Sequence, residues 1–278
     1  MRSAIVMTVW LGSVKSLMTA APKLTPEQLV KLHLDALGAA APEQTRDVRG
    51  ACATTTPARA AGQLVGLFRL TSSPRSARWT LRFESELYEG ENFSVEGDQV
   101  DIGFGQPRTS SRSALGLFVS QNRVIVGEGL FGGVLNARWP LLNVAARQAK
   151  LAYDGPKKLA GRELHRLRYR AKDKQGNLEA HLYFEPDTYR HVASVYTISR
   201  SQSLGTTMES SSQQADQYYR LEELFGDFVS VGTQTLPRTW NVRYERTGNT
   251  ANEWKYDMRL QSVDEKPVPT GAASLNLR

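Results

Sequence analysis

Cysteine is nearly missing: Cys52 is the only one among 278 residues. No intrachain disulfide can form, and a Cys-x-x-Cys or Cys/His zinc site is excluded by count. Cys52 reads as a small strand residue. Histidine is also scarce. The four, His33, His165, His181 and His191, show neither HExxH nor another metal spacing. There is no GxSxG, so the sharp strand-to-helix turn that carries a hydrolase serine is absent. The glycine-rich Gly127–Gly133, GEGLFGG, lacks the Lys-Ser/Thr of a phosphate loop and the βαβ setting of a dinucleotide fingerprint. These absences lead to the expectation of a non-enzyme with no metal and no cofactor.

A concentrated block of charge is lacking too. Lys plus Arg number 35 against 28 acidic residues, a formal charge of +7, and the excess forms no block. Dispersed positive charge of this size favours weak attraction to anionic surfaces. It falls short of the clustered basic footprint of a nucleic-acid binder. Hydrophobic residues at 40% and charged residues at 23% afford an ordinary core.

Nor is there an apolar run of the ~20 residues that a membrane-spanning helix needs. The longest candidate opens the chain. Arg2 precedes an apolar stretch from Ala4 to Val14, interrupted next by Lys15, and Thr19, Ala20 and Ala21 precede Pro22. This is the pattern of a secretory signal over residues 1–21, cleaved near Ala20 or Ala21. It places the mature protein in the periplasm, soluble after signal cleavage, with peripheral membrane association or none. A lipoprotein anchor would need a cysteine directly after the apolar run, and Cys52 lies far beyond it.

What is present is periodic. Thr25, Pro26 and Gln28 form a capping box with proline at the first helical position, and Leu24 and Leu29 stand as a hydrophobic staple. Leu29, Leu32, Ala36 and Leu37 form an apolar stripe, and Gly38 ends the helix. The period then becomes two. Trp79, Leu81, Phe83 and Leu87 alternate with Thr80, Arg82, Glu84 and Glu86, a half-buried antiparallel strand. Leu64 to Leu70 precede it. Phe93 to Val95 and Val100 to Phe104 flank a Gly97-Asp98 turn. Further strands run over Leu151 to Tyr153, Glu163 to Arg170, Leu178 to Phe184, Val192 to Ile198 and Gln213 to Phe228. Pairing Leu167 with Leu182 and Tyr169 with Ala180 keeps the apolar residues on one face, and a slip of one residue would mix the faces. The last hairpin has an aromatic face of Leu236, Trp240, Val242 and Tyr244 against Trp254, Tyr256, Met258 and Leu260.

Between the two sets of strands the pattern breaks. Arg112 to Asn122 reads as a short apolar helix with Leu115, Leu117, Phe118 and Val119. The stretch from Gly127 to Asn143 is too apolar for a surface loop and too rich in Gly and Pro for a strand. It is expected to cover one face of the sheet. The fold expected is mainly β: a large, curved antiparallel sheet of roughly ten or eleven strands, an incomplete barrel, with an N-terminal helix and an inserted helical lid. One domain is expected over residues 22–266, with a loose tail over residues 267–278.

One pair of carboxylates, Glu84 and Glu86, shares a strand face as a glycosidase pair would. Alternation with apolar residues puts both in water instead. The inner face is the remaining candidate site. Its expected lining is Trp79, Leu81, Phe83, Trp240, Val242, Tyr244, Trp254, Tyr256 and Met258. The expected lid is Leu115, Phe118, Phe131, Trp139 and Leu142. Whether that face is filled by its own cover or left open for a guest stays open at this level.

The order of elements resembles the outer-membrane lipoprotein carrier and sorting superfamily, the LolA/LolB-like proteins, and most of all an uncharacterised branch of it. The resemblance spans most of residues 24–265. It is carried by LTPEQLVKLHLDALG (Leu24 to Gly38), GRELHRLRYR (Gly161 to Arg170) and LYFEPDTYRHVASVYTI (Leu182 to Ile198), in that order. The resemblance implies an incomplete β-barrel with a helical lid and a hydrophobic cavity for acyl chains, and so a lipid or an acylated lipoprotein as partner. It also implies a role in outer-membrane biogenesis. The chain is longer than the carriers, and no single residue is matched to their lid-locking arginine, which favours apolar-ligand binding over lipoprotein transfer. The alternative is a non-catalytic envelope module with a filled core and a protein partner. A monomer without nucleic acid is expected in either case.

Overall fold

The computed structural model describes residues 24–38, 44–55, 63–85, 88–104, 113–172, 176–200, 217–247 and 252–267. The secretory pattern of residues 1–21, Glu86 and Leu87, and the tail beyond Pro267 lie outside these. Helix α1 (Pro26–Leu37) comes first. The strands are β1 (Gln44–Thr55), β2 (Leu64–Ser72), β3 (Ser76–Phe83), β4 (Gly90–Glu96) and β5 (Gln99–Phe104) in the first half. After helix α2 (Ala114–Gln121) and a run of short helical turns come β6 (Lys150–Leu159), β7 (Arg162–Arg170), β8 (Glu179–Phe184) and β9 (His191–Arg200). The last three, β10 (Gln217–Val231), β11 (Gln234–Thr247) and β12 (Asn252–Pro267), are the longest.

All belong to one antiparallel sheet ordered β5-β4-β3-β2-β1-β12-β11-β10-β9-β8-β7-β6. Two meanders are joined where the first and last strands pair, Val48 opposite Val263 and Cys52 opposite Met258. The free edges, β5 and β6, are consecutive in the chain. The segment between them leaves one edge, crosses the inner face and returns at the other.

The sheet must be strongly curved. Arg138 of the insert donates to the carbonyl of Gly97, in the β4–β5 turn, at 3.1 Å and to Gly127 O at 3.0 Å. The next residue, Glu128, accepts a bond from Tyr169 of β7 at 2.5 Å. β4 and β7 lie nine strand positions apart, roughly 43 Å on a flat sheet at ~4.8 Å per strand. One short segment reaches both only if the sheet wraps around it. The sheet remains open, since β5 and β6 do not pair.

Twelve strands form where the sequence pattern resolves ten or eleven. The one passed over is β1, whose Thr, Arg, Gly and Ala carry little alternation. Its inward positions, Val48, Gly50, Cys52 and Thr54, are small because neighbours fill the space: a Cβ on Gly50 would lie 2.5 Å from the Phe68 ring. The register read from the β7–β8 pattern is the one formed, Leu167 opposite Leu182 and Tyr169 opposite Ala180. Pro267 is the last residue of β12, paired with Gln44, and so belongs to the sheet. No helix among the described residues is long and apolar enough to cross a membrane.

α1 carries its capping box: Thr25 Oγ1 accepts the Gln28 N–H at 3.2 Å, and Gln28 Oε1 accepts the Thr25 N–H at 2.9 Å. Its buried face is Leu29, Val30, His33 and Leu37. The apolar stripe is thus rotated towards His33, with Leu32 and Ala36 outside the buried set. Gly38 ends the helix at φ 88°, and a Cβ there would sit 2.1 Å from Thr233 O. Only glycine lets the helix end pack on the β10–β11 turn. A second, smaller cluster of Leu164, Tyr183, Val192, Ala193 and Val195 buries the other side of β8 and β9. That explains why β9 reads as a continuous apolar run.

Truncating the inner wall should be costly and truncating the outer face should not. Trp240→Ala is expected to lose about 3–5 kcal/mol in urea unfolding. Val65→Ala, on a side chain 68% exposed, should stay within about 0.5 kcal/mol.

Candidate functional site: the inner face and its cover

The inner wall is built in cross-strand rows. One runs Ile102, Phe93, Trp79, Leu70, Val48 and Val263. The next but one runs Phe83, Gly66, Cys52, Met258, Trp240 and Phe225. Eight of the nine expected lining residues are buried: Trp79, Leu81, Phe83, Trp240, Val242, Tyr244, Tyr256 and Met258. Trp254, near the start of β12, is half-buried. Of the expected lid residues, Leu115, Phe118, Phe131 and Trp139 are buried and Leu142 is half-buried.

Wall and cover touch. The Phe131 ring lies 5.1 Å from Trp240, 5.7 Å from Phe93 and 6.0 Å from Trp79, centroid to centroid. Phe118 lies 5.5 Å from Tyr244. These distances are those of favourable edge and tilted ring pairs. The void left between Trp79, Phe93, Leu115, Phe131 and Trp240 is about 10 Å³, at the lower limit for a single water. In this conformation the insert occupies the face.

Polar ties hold the insert, and they concentrate between Glu128 and Trp139. At their centre is Glu223, fully buried on β10 in an inward row with Val242 and Tyr256. Its Oε1 accepts the Gly132 N–H at 2.7 Å and the Trp240 Nε1–H at 3.0 Å. Its Oε2 lies 2.8 Å from Tyr196 Oη, which is itself 3.2 Å from Leu130 O. The tyrosine has one proton and two acceptors. Both contacts become hydrogen bonds only if Glu223 is protonated and donates to Tyr196, whose own proton then goes to Leu130 O. Burial pushes the Glu223 carboxyl up to about 8, in agreement with that arrangement. Gly132 must be glycine-like here, at φ 85°, and a Cβ on Gly133 would lie 2.8 Å from the Phe225 ring.

Further ties flank this centre. Arg46, buried on β1, pairs with Glu265 at 2.7 Å and donates to Val134 O and Gln234 Oε1. It is an arginine from the sheet holding the cover, which no sequence signal singled out. Ser72 Oγ accepts the Ala137 N–H at 2.9 Å. Trp139 Nε1–H donates to His33 Nε2 at 3.1 Å, and His33 Nδ1 is 3.1 Å from Tyr189 O. That fixes the Nδ1–H tautomer. Burial drives the His33 pKa down to about 4, and that of the neighbouring His191 well below its ordinary value.

α2 is held differently. Leu115, Phe118 and Val119 are buried beneath it. Its cap, Ser113, accepts the Gly116 N–H at 2.8 Å and donates to Glu91 of β4. Tyr88 donates to the same Glu91 oxygen at 2.9 Å and meets Tyr256 Oη at 3.0 Å. Glu91 Oε2 is buried with no partner among the described residues. Burial raises this carboxyl to about 7.

The buried carboxylates of the inner face are Glu91 and Glu223, not Glu84. Glu84 is exposed. Glu91 precedes Phe93 and Val95, and Glu223 stands between Leu221 and Phe225. Both occupy inward positions of a period-two pattern, which is the signal that reveals them.

No protein-family model matches the chain, and no curated protein sequence does. Solved structures do. A LolA superfamily protein from Nitrosomonas europaea aligns at 11% identity over 87% of this chain and 94% of that one, with a TM-score of 0.48. A Vibrio parahaemolyticus domain named for outer membrane lipoprotein sorting aligns at 9% identity over 88% and 92%, with a TM-score of 0.44. A DUF1329 family protein from Desulfovibrio piger aligns at 8% identity over 86% and 92%, with a TM-score of 0.41. The likeness is distant and one of overall fold. It carries no residue role.

The buried ionisable groups set opposing pH responses. Glu91 and Glu223, raised from 4.5, hold protons in the fold that the unfolded chain releases. Their contribution is full below about 4.5 and is lost as pH rises through about 7 and about 8. His33 and His191, lowered from 6.5, contribute fully above 6.5 and lose stability as pH falls. Thermal unfolding is therefore expected to show a rise in stability from pH 8 to about 6.5 and little net change from these groups down to about 4.5. Glu223→Gln can keep every bond of the protonated acid and should flatten the upper limb. Glu223→Ala leaves the buried Gly132 N–H and Trp240 Nε1–H unpaired and should cost at least about 2 kcal/mol.

Proposed function

We propose that the protein is an exported, periplasmic binder of acyl chains, from lipid or from an acylated lipoprotein, and that the chain enters where α2 now lies. The observation that carries this reading is the uneven attachment of the cover. The ties from Glu128 to Trp139 make that part a fixed floor. α2 rests on the aromatic wall through Leu115, Phe118 and Val119, with the bond from its cap Ser113 to Glu91 at one end.

The magnitudes favour exchange. Uncovering Leu115, Phe118 and Val119 costs about 5–9 kcal/mol at ~1.5–3 kcal/mol per buried side chain. An acyl chain that buries ~10 CH₂ groups recovers about 8 kcal/mol at ~0.8 each. A long acyl chain can therefore replace α2 against Phe83, Tyr88, Tyr244 and Tyr256, whereas displacing the whole insert would not be balanced. The phenol groups of Tyr88 and Tyr256 and the Glu91 carboxyl would then face the polar end of the ligand. Binding of this kind needs no nucleophile, metal or cofactor. The leading apolar run, Ala4 to Val14, supports export.

A second reading has one observation in its favour. The void of about 10 Å³ suits a non-catalytic envelope module whose core is permanently filled and whose outer surface meets a protein partner.

Delipidated protein titrated with a fluorescent long-chain fatty acid decides between them. Saturable binding is expected. It should tighten as pH rises through about 7, because ionised Glu91 is costly only while α2 covers it. Glu91→Gln should remove that pH response. Absence of binding at every pH would leave the filled module.

A further inference from the structure

Two large side chains stand well out in solvent on the outer face, Val65 at 68% and Leu67 at 63% exposed, side by side on β2. The register surrounds them with cations. Leu67 is opposite Arg82 on one side and Ala51 on the other, and Ala51 is opposite Arg259. Arg69 follows two places along β2, opposite Arg49. Cross-strand partners share a face, so Arg82, Arg259, Arg69 and Arg49 all flank the apolar pair, with Arg78 one row further. The carboxylates on this face are Asp47, bonded to Arg49 and Arg69, Asp264, opposite Asp47, Asp257, which accepts a bond from Asn241 at 2.6 Å, and the exposed Glu84, two places beyond Arg82. Five arginines against four carboxylates leave a local charge of +1, and the excess sits beside Leu67. Arg82 and Arg259 have no acidic partner among the described residues.

We infer that this outer face docks the protein on an anionic lipid surface. Guanidinium groups ring two protruding aliphatic side chains on an open strand face. In that geometry the arginines meet phosphates while Val65 and Leu67 enter the interface below them. Arg82 and Arg259, without acidic partners beside the protruding aliphatic pair, match a layer of phosphates. This surface lies on the opposite side of the sheet from the inner face and does not depend on what the inner face binds.

The test is co-sedimentation of the full-length chain with vesicles. One set is phosphatidylcholine alone, and the other contains about a third phosphatidylglycerol. The same full-length chain in every arm makes the N-terminal apolar run contribute equally. Binding is expected to the anionic vesicles, to fall at high salt, and to weaken about fivefold for each of Arg82→Gln and Arg259→Gln. Val65→Ser with Leu67→Ser should weaken it on the order of tenfold. Unchanged thermal unfolding would show that these variants fold. Equal binding to neutral vesicles, variants that bind like the parent chain, or a concentration-dependent dimer that the same variants abolish would each overturn the inference.

Discussion

The free edges of this sheet are strands β5 and β6, neighbours in the chain, and whatever joins them has to cross the open side. That constraint organises the molecule. A twelve-stranded antiparallel sheet twists and curls, and its concave side gathers most of the apolar residues that alternate along the strands. An empty trough of that size would expose indole and phenyl rings to water. Among the described residues, the connection between the edges is the long stretch that begins and ends at the mouth, and it fills the trough. Its sequence is suited to that place. Glycines at positive φ let the backbone descend to the wall, and Phe131 and Trp139 fill the depth.

A connection buried in this way brings polar backbone into an apolar interior. Irregular turns leave N–H and C=O groups unpaired, and each such group costs about as much as a lost hydrogen bond. The wall therefore carries polar groups at inward positions. Glu223 and Tyr196 serve Gly132 and Leu130, Arg46 serves Val134, and Ser72 serves Ala137. These ties cost desolvation, which is why the carboxyl is held as an acid and the histidines as neutral rings. α2 has a regular backbone that satisfies itself. It needs few such ties, and the same chemistry that fixes the floor leaves the helix as the replaceable part.

Much of this was legible in the sequence. Alternation located the aromatic wall, the breaking of alternation located the cover, and matching apolar faces set the β7–β8 register. The capping box at Thr25 placed α1 to the residue. What escaped has physical reasons. β1 is made of small and polar residues because neighbouring side chains fill its inward side, so it shows no hydrophobic period. His33 joins the buried face of α1 because Trp139 and Tyr189, distant in sequence, satisfy its ring. Arg46, Glu91 and Glu223 were invisible because charge at a strand position reads as solvent. Only their place in phase with inward neighbours, Phe93 for Glu91 and Phe225 for Glu223, marks such residues as inward. The resemblance in element order spoke for a cavity, whereas the depth of the trough depends on side-chain volumes that order does not encode.

If α2 yields to an acyl chain while the floor stays in place, the two parts of the cover must respond differently to ligand. Amide hydrogen exchange, resolved by segment and measured with and without a long-chain fatty acid, tests this most directly. Faster exchange over residues 114–121 on addition of the fatty acid, with residues 128–139 unchanged, is the expected result. Protection of α2 that matches β10 and β11 and does not respond to the fatty acid would contradict the account.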